Sequence, residues 1–174
     1  FGYFFLKEKI NTITFISIFI GLLGVLLILG SSLSIQSEDE FIGNIVAFLM
    51  PISLAILVII IRKNPSVDMV PAQFIAAIIT VAVGFVMVDE ITISSNDLFL
   101  ASIAGVFQVG FGFILITIGS KSTASAVVGI LMLSEAVFGP LWAWLFINEL
   151  MSISILLGGC VIIFSILLQS FYGK

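Results

Sequence analysis

The feature that most constrains this chain is the spacing of its charges. Ionisable residues divide the sequence into uncharged runs at 10–37, 41–61, 69–88, 98–120, 122–148 and 150–173, the fifth broken only by Glu135. Each run can supply the ~20 residues that a helix needs to cross ~30 Å of hydrocarbon. Only 9% of the residues are charged and 61% are hydrophobic, whereas a soluble domain carries about 25% charged residues. A buried helix of a soluble protein would also be shorter and show a polar face. The expected fold is an all-α polytopic membrane protein with six transmembrane helices.

The charges between the runs alternate in sign. Lys7, Glu8 and Lys9 are net positive, Glu38, Asp39 and Glu40 negative, and Arg62, Lys63 and Asp68 net positive. Asp89, Glu90 and Asp97 are negative, Lys121 positive, Glu149 negative and Lys174 positive. Six helices running back and forth would put every Lys and Arg on one face, and the positive-inside rule makes that face cytoplasmic. The C-terminus is then expected inside. One missed or invented span would scramble this sorting, so the alternation also checks the helix count.

Several chemistries are excluded. There is no His, and Cys160 is alone, which removes zinc-hydrolase, Cys/His and Ser/His/Asp mechanisms and any internal disulfide. No enzyme activity, metal site or cofactor is expected. A nucleic-acid partner would require a basic patch that the chain lacks, and no motif for a hydrolysable nucleotide is present.

Residues 1–6 are apolar and end at Lys7, which reads as the tail of a helix whose beginning lies upstream. The first full span, about residues 11–29, carries Gly21 and Gly24 on one side, where neighbouring backbones can approach closely. A Ser-rich, acidic linker follows to Glu40. The second span, about 42–61, has Pro51 at its centre, which frees a carbonyl near residue 47. With Ser53 beside it, Pro51 marks a hinge or cavity position, or else a bend that only fits the bundle. The third span begins near Pro71, and its stripe of Gln73, Ala77, Thr80 and Gly84 reads as packing. The fourth, about 98–118, places Gln108 at mid-membrane between Gly105 and Gly112, able to hydrogen-bond a solute or another helix.

The fifth span holds Glu135, fourteen residues from both Lys121 and Glu149, or roughly 21 Å along a helix from each. That depth is the bilayer midplane, where a carboxyl is costly and usually faces a bundle interior or a wet cavity. Helical spacing sets Leu131, Phe138 and Trp142 on the Glu135 face, with Gly129, Ala136, Gly139 and Ala143 beside it. Such a carboxyl could exchange a proton as its surroundings change. The alternative is a neutral Glu hydrogen-bonded to another helix. Pro140 is expected to bend this span. The sixth, about 152–169, carries Gly158 and Gly159 and offers a packing or dimer surface.

An internal repeat is also visible. Phe5-Leu6-Lys7-Glu8 and the helix after it resemble Phe146-Ile147-Asn148-Glu149 and the helix after it, at an offset of 141 residues, with Ser17 and Gly158 each nine residues past the Glu. Five spans separate the copies. An odd number makes them face opposite ways, as do the inverted repeats of secondary transporters whose sites lie at the midplane.

The stretch Ser134-Glu135-Ala136-Val137-Phe138-Gly139-Pro140-Leu141-Trp142, followed by Leu145-Phe146-Ile147-Asn148-Glu149 and Gly158-Gly159, resembles the end of an EamA-type transporter of the drug/metabolite transporter superfamily. Many members read Leu-Glu-Pro there and close the hairpin with Gly-Glu. Here Ala136 stands in the Pro position, with Pro140 later, and Asn148 stands in place of the Gly.

The resemblance implies a ten-helix protein in which residues 1–40 end the first five-helix repeat and residues 41–174 form a complete inverted second repeat. It implies a secondary-active carrier in the inner (plasma) membrane that exports or exchanges a small metabolite or drug-like solute by alternating access. Glu135 would be the proton or cation site, Gln108 the solute-bonding amide, Trp142 and Phe138 cavity wall, and Pro51, Ser53 and Pro140 hinge or cavity positions. Its partners would be the solute, the lipid bilayer, the missing N-terminal helices and a second copy in a homodimer. The competing reading is a structural or assembly subunit of a membrane complex, in which Glu135 and Gln108 only glue helices together.

Overall fold

A computed structural model of the chain describes residues 2–30, 38–88, 90 and 92–173. The linker residues 31–37, Asp89 and Lys174, all part of the charge and linker reading above, lie outside the described residues, as does Phe1. The elements in chain order are α1 (Gly2–Leu6), α2 (Thr12–Leu29), α3 (Glu38–Lys63), α4 (Val70–Met87) and α5 (Ser95–Ile103). A π-helical segment, π1 (Ala104–Phe111), then leads to α6 (Gly112–Ser120), α7 (Ser125–Met132), α8 (Glu135–Ile147) and α9 (Ile153–Tyr172).

Among the described residues six stretches are long and apolar enough to cross a membrane: Thr12–Leu29, Ile45–Lys63, Val70–Met87, Ser95–Ser120, Ser125–Ile147 and Ile153–Tyr172. They match the six uncharged runs. The acidic residues 38–40 belong to the start of α3 and not to a linker. Local chemistry sets several starts. Ser94 Oγ accepts the Asp97 N–H at 3.1 Å ahead of α5, and Ser152 Oγ accepts the Ile155 N–H at 3.3 Å ahead of α9, each satisfying a first-turn donor. Pro71 lies in the first turn of α4.

The chain divides into two compact units, Phe1–Ile59 with Thr123–Lys174, and Ile60–Ser122; α3 passes from the first into the second. In the first unit α2 packs along α9. The inward face of α2 is Thr14, Ser17, Gly21 and Gly24, and that of α9 is Gly158, Gly159, Ile162, Ser165 and Gln169. Large side chains such as Phe15, Leu22, Leu26, Leu157 and Phe164 point outward. This is the reverse of a soluble core, because lipid solvates Leu and Phe and helices gain by close backbone approach.

The approach is close enough to exclude side chains. A Cβ on Gly24 would lie 2.9 Å from the Gly158 carbonyl oxygen, and one on Gly158 would lie 2.6 Å from that of Gly24. At the other end of the contact Ser165 Oγ donates to the Ser17 carbonyl at 2.6 Å. Rising numbers on α2 meet falling numbers on α9, so the helices run antiparallel.

These contacts come in exchanged pairs. Adding 141 to 17, 21 and 24 gives 158, 162 and 165. Gly24 meets Gly158 while Ser17 meets Ser165, and Gly21 meets Ser165 while Gly24 meets Ile162. The turns ahead of the two helices match as well. Lys7 (φ 53°) and Asn148 (φ 58°) are the non-glycine residues in left-handed conformation among the described residues. In each turn the following Glu N–H reaches back six residues, from Glu8 to the Gly2 carbonyl at 3.5 Å and from Glu149 to the Ala143 carbonyl at 3.4 Å. That is one residue further back than the long bond of a Schellman helix end.

In the second unit Gln73 of α4 donates to Thr117 Oγ1 on α6, and Thr117 Oγ1 donates to the Phe113 carbonyl at 2.7 Å. Thr117 is fully buried, so this end of the α4 stripe serves packing. Arg62, at the end of α3, donates from Nη1 to the Lys121 carbonyl at 2.9 Å. Two basic segments assigned to the same face therefore touch.

Candidate functional site

The site is built around an interruption in the fifth span. α7 stops at Met132 and α8 starts at Glu135. Between them the bonding tightens to three-residue steps: Leu133 N–H to the Ile130 carbonyl at 3.2 Å, Ser134 to Leu131 at 3.1 Å and Ala136 to Leu133 at 3.1 Å. Pro140, where the sequence suggested a bend, lies inside α8, which runs on to Ile147. The interruption coincides with a tertiary contact, since a Cβ on Gly21 would lie 2.6 Å from Leu133 Cδ1. Broken transmembrane helices are tolerated where the irregular backbone is covered by protein or lines a cavity.

This one lines a cavity of about 770 Å³ within the first unit. Its walls come from α1 and the turn after it (Glu8, Lys9, Asn11), from α2 (Thr14, Ile18), from α3 (Met50, Pro51, Leu54, Val58) and from α7 (Ser125, Gly129, Met132), with Leu133 and Glu135 at the interruption. Most of the lining is apolar, and the charges are Glu8, Lys9 and Glu135. A mostly apolar hollow of several hundred Å³ with a few polar groups is what binding sites for small molecules look like.

Glu135 is exposed and opens α8, so its carboxylate lies at the positive end of that helix's dipole. Pro51 lines the same cavity, six residues past the start and twelve before the end of the apolar stretch Ile45–Lys63 of α3. Ser53, two residues on, donates its Oγ to the Leu49 carbonyl at 2.9 Å and is not part of the lining. Phe138 and Trp142 are half-exposed on α8 and are not among the lining residues; Trp142 stacks at a tilt on Phe146, 5.7 Å between ring centres. Pro140 borders a separate hollow of about 240 Å³ with Gly139, Ala143 and Glu149. Gln108 belongs to the second unit, exposed in the middle of π1.

The sequence reading did not single out the other polar lining residues, Tyr3, Glu8, Lys9, Asn11, Thr14 and Ser125. Glu8 carried a signal, its place in the repeat. Ser125 carried none, because a small hydroxyl residue at a span's edge reads as packing or as a helix start.

Six long apolar helices among the described residues, with small residues at the helix contacts, define a polytopic helical membrane protein. The family model described as EamA-like transporter family matches residues 41–171. The chain therefore belongs to the EamA-like transporter family, within the drug/metabolite transporter superfamily, an integral membrane family of transporters that is not enzymatic in general. No curated protein and no solved structure matches it.

Proposed function

We propose that the chain is part of a secondary-active transporter that exports or exchanges a small metabolite or drug-like solute by alternating access in the plasma membrane, with its C-terminus cytoplasmic. The observation that carries this reading is Glu135 at a helix interruption, facing a cavity large enough for such a solute. Discontinuous helices at mid-membrane supply solute and ion sites in carriers. Glu135 is the proton or cation site, and Pro51 is a hinge in the facing wall. Phe138 and Trp142 serve as cavity wall in conformations where α8 turns toward the solute. Gln108 is a separate solute-contacting amide in its own unit, presented by π-helical backbone of a kind that recurs at functional sites.

The exchanged contact pairs of α2 and α9 and their twin left-handed turns support an inverted repeat, with residues 1–40 closing one copy and 41–174 forming the other. The helices of the first copy and a second protomer are its proposed partners. The test is solute flux in proteoliposomes holding the full-length gene product, with and without a pH gradient. Glu135→Gln is expected to abolish the pH-dependent part while leaving the protein folded. Unchanged flux overturns the role given to Glu135, and no flux from the wild type under any gradient favours an assembly subunit.

A further inference from the structure

Glu8 and Ser125, 117 residues apart, are joined at the edge of the cavity. Glu8 Oε2 accepts two hydrogen bonds from Ser125, one from its backbone N–H at 3.0 Å and one from its Oγ at 2.6 Å. Ser125 is the first residue of α7, so the carboxylate sits where a helix leaves donors unpaired and where its dipole favours an anion. The turn that carries Glu8 is held in shape by left-handed Lys7, and α1 presses on the same spot, since a Cβ on Gly2 would collide with Ser125 Oγ. Both partners line the cavity that holds Glu135.

α7 is thus a short rod with a distinct device at each end. It starts at this clasp and stops at the interruption before Glu135, ten residues or about 15 Å further on. A displacement of the turn by about one hydrogen-bond length breaks both bonds together, because they share one oxygen. Glu8 is only partly buried, so on release it meets water and no charge is stranded in an apolar interior. α1 buries none of its five residues, so little apolar surface opposes its movement.

We propose that the Glu8–Ser125 clasp is the gate of this cavity on the face that carries Lys7 and Lys9, and that it opens when α1 and its turn move away from the start of α7. The gate rests on the transport reading for its purpose, so its test has one arm that needs no transport. In a Cys160→Ala background, Gly129→Cys provides a reporter, because a Cβ there lines the cavity and meets nothing within 4 Å. Its labelling by a membrane-impermeant maleimide applied from the basic face is timed with the clasp intact and with Glu8→Ala or Ser125→Ala.

Either substitution is expected to speed labelling from that face roughly tenfold, the worth of about one charge-assisted hydrogen bond, with no gain from the opposite face. Equal rates in folded protein overturn the gate, and so does a gain on both faces, which marks general loosening. Should the alanine variants fail to fold, Glu8→Cys with Ser125→Cys in the same background, without the reporter, replaces them. Disulfide formation is then expected to stop solute flux and reduction to restore it, and full flux in the cross-linked protein refutes the proposal. Clasp-dependent labelling in a wild type that moves no solute keeps the gate and removes the transport reading.

Discussion

Asn148 shows how much a single backbone angle can explain. At φ 58° it closes α8 in the left-handed conformation that favours glycine, and its N–H satisfies the Ala143 carbonyl. A position that reads Gly in the resembling family is therefore held here by the next most tolerant residue type. Asn148→Gly is expected to raise stability by up to about 1 kcal/mol, reduced somewhat by the greater freedom glycine has when unfolded. Asn148→Val should cost about 1–2 kcal/mol, since a β-branched side chain is strained there. Thermal unfolding in detergent checks both, and a stabilising Asn148→Val would mean that the turn is not left-handed. Of the residues singled out from sequence, Glu135 and Pro51 share one cavity. Counting along a helix located the acid at mid-depth but could not show which groups face it, because that depends on where other helices lie.

At the scale of elements, the six spans were legible because hydrocarbon thickness and charge cost leave few alternatives. The interruption at Leu133–Ser134 was not. Its residues are ordinary helix formers, and the feature next to it is a tertiary contact, Leu133 against Gly21. π1 was hidden for a similar reason, since its one-residue excess per turn leaves no mark on a run that is apolar on all sides. The glycines of α2 were legible as a close-approach face, though the sequence did not name α9 as the partner. The α2–α9 contact is where stability is most sensitive. Gly24→Ala and Gly158→Ala each push a methyl into a facing carbonyl, with no flexible side-chain end to yield. Each is expected to destabilise by about 1–3 kcal/mol. Gly43→Ala and Gly84→Ala, where a Cβ meets nothing within 4 Å, should change stability little and serve as controls. Equal melting of all four variants would show that α2 and α9 do not approach as described.

For the whole molecule, the ordering of charges and the contacts between distant segments point the same way. Glu8 bonds Ser125, beside Lys121, and Arg62 bonds the Lys121 carbonyl. Four segments that alternation puts on one face, around residues 8, 62, 121 and 125, thus touch in two pairs, each pair within its own unit. Nothing in the sign of the charges required those contacts, so they weigh independently for an even number of crossings between residues 8 and 125. The same topology requires that Glu90, between the third and fourth spans, lie across the membrane from Arg62, between the second and third. Single cysteines at 62 and 90 in a Cys160→Ala background, probed with an impermeant maleimide on sealed vesicles of known orientation, should label from opposite sides. In the proposed orientation, which the positive-inside rule motivates, the cysteine at 62 should label from the inside. Substituting Arg62 also removes its bond to the Lys121 carbonyl, so a cysteine at Asn64, exposed in the same turn, is the companion probe. Labelling of 64 and 90 from one side would mean that α4 does not cross the bilayer, and the transporter topology would fall with it.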